Sequence, residues 1–250
     1  MKWGFKMKIA TSSAVALVLS AGLAGAAHAA QSQVDISGQV NANIQTYTNG
    51  NNYPQGPTSL TVNGIDFAIA SFPGGGVGGT GVIQLQSATD TYTISVDETD
   101  IKAVYTLINS GFGEAGFTTG ALTFADSAGD SFVYNLTEGD NIRDHYNGFY
   151  VNDAPAVYGT ANFDGGVRLD AQQIVLPTSF WTSELTTITF AGAPDYGNPN
   201  GEPFLAAVTT STTLSSPVPE PSTWAMMIAG FAGLGWLGLS RRRAIRSAAA

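Results

Sequence analysis

The stretch SLTVNGIDFAI, residues 59–69, sets Leu60 and Val62 before Asn63-Gly64 and Ile65, Phe67 and Ile69 after it, with other residues spaced between them. Apolar side chains at every second position put one face of a strand against a core, because successive side chains of extended chain point to opposite sides. Asn-Gly tolerates the positive φ of a two-residue hairpin turn, so the segment reads as two antiparallel strands. The same habit recurs on either side. Val34, Ile36, Val40, Ala42 and Ile44 alternate ahead of it, and Tyr92, Ile94, Val96 and later Phe132, Tyr134, Leu136 alternate behind it.

Clusters of Gly, Asn, Asp, Ser and Pro punctuate these runs at residues 49–52, 73–81, 128–130, 147–148, 164–166 and 194–203. Such residues supply the positive or fixed φ of turns. Further strands are expected at residues 82–86, 101–108, 121–125, 167–169, 173–176, 185–190 and 204–208, and no amphipathic helical run interrupts them. Many short strands with closely spaced turns predict an all-β fold: a single antiparallel β-sandwich, jelly-roll-like, over residues 30–208. Residues 209–218, TTSTTLSSPV, then read as a Ser/Thr/Pro linker in extended form.

The two ends of the chain differ from this body. Lys2, Lys6 and Lys8 precede an apolar stretch and the small residues Ala27 and Ala29. A positive start, an apolar middle and small residues at −3 and −1 make a secretory signal peptide of residues 1–29, a helix removed after Ala29. The mature protein is then expected to work outside the cytoplasm. With no cysteine in the chain, disulfides, thiolate metal sites and cysteine nucleophiles are excluded, and packing must supply the stability.

Charge is also concentrated. Between the ends lie three cations, Lys102, Arg143 and Arg168, against eighteen acids from Asp35 to Glu202, a formal charge of −15 for the body. Such a surface repels phosphate backbones, so no nucleic-acid partner is expected.

Near the C-terminus, Trp224 to Leu239 carry no charge and would span about 24 Å as a helix. That is short but sufficient for a transmembrane helix whose flanks adjust, with Trp224 at the interface and Arg241, Arg242 and Arg243 as a cytoplasmic stop-transfer cluster ahead of a tail at residues 244–250. Pro219-Glu220-Pro221 sits just outside that helix, where two prolines hold the chain extended and open to an enzyme. Pro219, Glu220, Pro221, Trp224 and Ala225, then the apolar run and the arginines, resemble the PEP-CTERM sorting signal in its PEPxxWA form, over residues 219–243.

This resemblance implies a Gram-negative exported protein whose tail is recognised and cleaved by an exosortase, an integral-membrane cysteine transpeptidase. It implies an inner-membrane anchor with a periplasmic body before processing, and a place at the cell surface or outside the cell afterwards, in association with exopolysaccharide or biofilm. VYTLINSGFGEAG (residues 104–116) and NIRDHYNG (residues 141–148) are also similar to segments of other proteins with this tail, without implying an activity.

The body offers little catalytic chemistry. His145 is the one histidine left after the signal, no G-x-S-x-G elbow accompanies it, and it reads as a turn or surface residue. Gly76 to Gly81 fits G-x-G-x-x-G, but a strand rather than a helix follows, so a hairpin loop is expected. Glu98-Thr99-Asp100 begins like a glycosidase strand motif, yet residue 103 is alanine where a second carboxylate belongs. Acids near turns, Asp140 and Asp144 among them, make a candidate calcium site, although solvated turn acids are the plainer reading, since no EF-hand or glycine-aspartate spacing is present. No other cofactor is expected.

Tyr146, Phe149, Tyr150 and Trp181 are candidates for a sugar-stacking platform, and Arg143 with Asp144 for an ion pair bracing their loop. The expectation is a protein that is not an enzyme, with a secreted, glycosidase-like polysaccharide-acting enzyme as the alternative.

Overall fold

A computed structural model describes residues 31–47, 52–73, 79–148 and 150–214. The expected signal peptide, the motif at Pro219–Pro221, the transmembrane helix and the arginine cluster lie outside them. Among the described residues there is no α-helix, only strands and short 3-10 turns, and no helix is long and apolar enough to cross a membrane.

The hairpin of residues 59–69 forms as its alternation requires. Strands β3 (Thr58–Val62) and β4 (Ile65–Ile69) pair antiparallel around Asn63 and Gly64, with φ of 49° and 79°. Positive φ at both turn residues is what matches the twist of the two strands.

The other strands, in chain order, are β1 (Gln31–Val34), β2 (Ala42–Asn43), β5 (Gly81–Gln84), β6 (Thr91–Thr99), β7 (Ala103–Gly111), β8 (Thr118–Asp126), β9 (Ser131–Thr137), β10 (Val157–Asn162), β11 (Arg168–Val175), β12 (Glu184–Gly192) and β13 (Glu202–Ser211). One sheet runs β10-β11-β7-β13-β5-β2, with β1 beside β13, and a second runs β6-β12-β8-β9. All the pairings between strands are antiparallel.

Two cores hold these layers together. Ile83, Ile94, Ile108, Leu122, Phe124, Ile188, Phe190 and Leu205 fill the space between the two large sheets. Tyr53, Val62, Phe67, Tyr105, Leu107, Leu169 and Phe204 fill the space between the hairpin and the outer face of the first sheet. Each fully buried apolar side chain contributes roughly 1.5–3 kcal/mol by leaving water. Because β7 and β13 are covered on both faces, they are buried almost throughout and do not alternate, whereas β6 and β9 do. The chain is therefore an all-β antiparallel sandwich.

Strand β10 is one that the sequence pattern does not announce, and three further differences from expectation have a clear physical reason. Residues 34–44 are not one strand: 3-10 turns at Ser37–Gln39 and Ile44–Tyr47 divide the alternation, and Asp35 Oδ1 accepts the Ser37 amide at 2.8 Å in the first. The two strands expected at residues 167–169 and 173–176 are a single strand, β11 (Arg168–Val175), whose buried polar residues hide its continuity. Thr209, Thr210 and Ser211 are sheet rather than linker, because β1 and β7 pair with them from both sides and bury them.

Candidate functional site

The irregular segment of residues 138–148 packs at the end of the first sheet where β7 and β11 part. Ser110 donates its amide to Arg143 O at 3.1 Å, His145 returns its amide to Ser110 O at 2.9 Å, and Arg168 donates its amide to His145 O at 2.9 Å. The segment thus sits between the end of β7 and the start of β11. Backbone pairing of this kind satisfies polar groups that burial would otherwise leave unmet.

His145 is buried, at 4% exposure, which corrects the reading of it as a turn or surface residue. Its Nδ1 lies against the Tyr53 hydroxyl, and its ring meets Phe204 edge-on at 5.6 Å and Tyr146 at 4.6 Å. Burial, with the nearby Arg168 charge, lowers its pKa to about 4, so it is a neutral imidazole near neutral pH.

Arg168, at 2% exposure, donates through Nε and Nη2 to Asp144 O at 2.9 and 2.7 Å, and through Nη1 to Asn152 Oδ1 at 2.8 Å. Arg143 does not pair with its neighbour Asp144. It grips Asp170 instead, Nε to Oδ2 and Nη2 to Oδ1, both at 2.8 Å. Asp144 Oδ1 accepts the Tyr146 amide at 2.5 Å, and burial raises its carboxyl to about 6.

Beside this cluster, Glu138 accepts from Thr119 Oγ1 at 3.3 Å, while its Oε2 is buried without a hydrogen bond. Burial raises its carboxyl to about 8, so it holds its proton at neutral pH.

A cleft of about 410 Å³ opens over these residues. His145 and Phe204 line it together with the rings of Tyr47, Phe112, Tyr146 and Tyr150, and its polar wall includes Asp144 and Glu202. Phe112 and Tyr150 meet edge to face, 5.3 Å apart at 88°. Phe112 takes φ of 68°, in the left-handed region that an aromatic residue seldom occupies.

Of the four aromatic candidates, the structure brings Tyr146 and Tyr150 to this cleft and leaves Trp181 out of it. Trp181 donates Nε1 to Leu176 O at 3.0 Å and carries Lys102 Nζ 5.4 Å from its ring centre, which is a packing role. Phe149 lies outside the described residues. Tyr47, Phe112 and Glu202 were not singled out from sequence, because nothing in their local pattern separates them from other turn and strand-end residues.

The calcium candidates do not gather. Asp140 is exposed and Asp144 buried, and among the described residues no three His, Cys, Asp or Glu side chains group as a metal would need. Asp126 shows what another turn acid does, accepting the amides of Ala128 and Asp130 at 3.0 and 2.8 Å. After the glycine-rich loop, β5 follows directly as a strand, as expected.

No curated protein matches the chain. Residues 217–243 match the family described as the PEP-CTERM protein-sorting motif. Residues 217–243 therefore carry a sorting motif of the kind that marks an exported exosortase substrate.

Proposed function

We propose that the mature protein serves at the cell surface or in the extracellular matrix, where its β-sandwich associates with exopolysaccharide without cleaving it. The sorting motif supports the route, with the body on the periplasmic side until the exosortase acts. The observation that carries the binding role is the cleft, where Tyr146 and Tyr150 stand with Tyr47 and Phe112. Ring faces stack on the C–H faces of sugars, and a concave, mostly apolar pocket with a few polar groups is the usual form of a small-ligand site. The absence of catalysis is supported by His145, which is buried against Tyr53, and by Asp144, which is held by a backbone amide.

A second reading has one observation in its favour. Asp144 and Glu202 both line the cleft and both have carboxyls raised by burial, as the acid of a glycosidase does. Incubating the purified protein with the host's own exopolysaccharide separates the two. Retention on the polymer with no new reducing ends is the expected result, and new reducing ends would replace the binding role with an enzymatic one. Neither retention nor cleavage would reject both.

A further inference from the structure

We propose that the cleft is a binding site for an organic ammonium group on a compact body and, resting on the polysaccharide reading above, that its ligand is an amino sugar. Two features of the cleft point this way, and they are independent.

The first is aromatic. Tyr47 and Tyr150 are 42% and 44% exposed, among the most exposed large apolar side chains described, and both flank the cleft. Phe112 joins them in a left-handed conformation, with its carbonyl held by Ser110 Oγ at 3.0 Å. Strained backbone kept in place at the wall of a pocket is characteristic of ligand sites. Aromatic faces attract cations through their quadrupole, and quaternary and protonated amines are recognised in this way.

The second is charge. Glu202 lines the cleft yet makes neither an ion pair nor a side-chain hydrogen bond among the described residues. The described cations are committed elsewhere: Lys102 lies over Trp181, Arg143 grips Asp170, and Arg168 is bound by Asp144 O and Asn152. A body carrying three cations against eighteen acids repels an anionic ligand. A neutral ligand seated over the half-buried Glu202 would strip water from its carboxyl without supplying a counter-charge, which is costly. An ammonium group satisfies the carboxylate and the rings together.

Calorimetry on the full chain in a polyoxyethylene detergent, near neutral pH, tests this with glucosamine, glucose and tetramethylammonium. Glucosamine should bind at least about 10-fold more tightly than glucose, the scale of one cation–π contact with a carboxylate beside it. Glu202→Gln should remove that preference, and Tyr47→Ala should weaken glucosamine while thermal melting shows the fold intact. Equal or tighter binding of glucose would overturn the ammonium site and leave the polysaccharide reading standing. Binding of tetramethylammonium with neither sugar would keep the ammonium site and remove the sugar. No heat with any of the three, or a preference for glucosamine unchanged in Glu202→Gln, would overturn the proposal.

Discussion

Arg143 and Asp170 meet in a two-pronged ion pair, with both N–O contacts at 2.8 Å, and so tie the irregular segment around residue 143 to strand β11. Asp170 also receives Asn109 Nδ2 at 2.7 Å and Thr160 Oγ1 at 2.7 Å, so its carboxylate is fully coordinated inside the protein. Removing Arg143 leaves the buried Asp170 carboxylate with only the more distant Arg168 guanidinium, Nε 3.7 Å away, as counter-charge. Arg143→Ala should therefore destabilise the protein by about 3 kcal/mol, and the melting temperature should fall by roughly 6–12 °C. An unchanged melting curve would mean that the pair does not anchor the segment.

Glu138 should make stability fall as pH rises above 6.5. In the unfolded chain its carboxyl is ionised from near its ordinary value of 4.5, whereas in the folded protein it keeps its proton up to about 8. The folded state then binds more protons than the unfolded state across that window, so raising the pH favours unfolding, by about 2 kcal/mol between pH 6.5 and 8. Below pH 6.5 the slope is mixed. His145 resists protonation down to about 4, which costs stability as pH falls, while Glu138 and Asp144 act in the opposite sense. Denaturant unfolding at several pH values checks this, and Glu138→Gln should flatten the decline above pH 6.5.

Gly201 leaves room for the same carboxyl. Its φ is 148°, and a Cβ added there would stand 2.3 Å from Glu138 Oε1. Gly201→Ala should cost about 2 kcal/mol or more through backbone strain and displacement of Glu138. The double variant with Glu138→Ala should lose less than the two single losses combined, since the residues share one contact. Strict additivity in thermal melts would place the cost elsewhere.

The layers of the sandwich were legible because alternation is a local signal: residues 59–69 announce both their strands and their turn, and β6 and β9 keep period two on their half-exposed faces. Strand β13 was only half legible. Its last residues, Thr209–Ser211, look like a polar tether in sequence, and only pairing with β7 on one side and β1 on the other, where Thr210 meets Ser32 across 178 residues of chain, shows them to be core. The cleft was less legible still. Tyr146 and Tyr150 stand in an aromatic-rich turn that draws notice, but His145 is buried by Tyr53 and Phe204, which are distant in sequence, and no period in RDHYNG reports that. The strained Phe112 is likewise a property of the folded backbone alone.

The sorting role is tested most directly by the intact mass of the protein recovered from the surface or medium of the host. That mass should lack residues 1–29 and the apolar run beyond Pro219–Pro221, and the variant with Pro219, Glu220 and Pro221 all replaced by alanine should remain in the membrane fraction with its tail attached. Recovery of the alanine variant at the same processed mass, or of the unaltered protein at full length in the cytosol, would contradict sorting through residues 217–243.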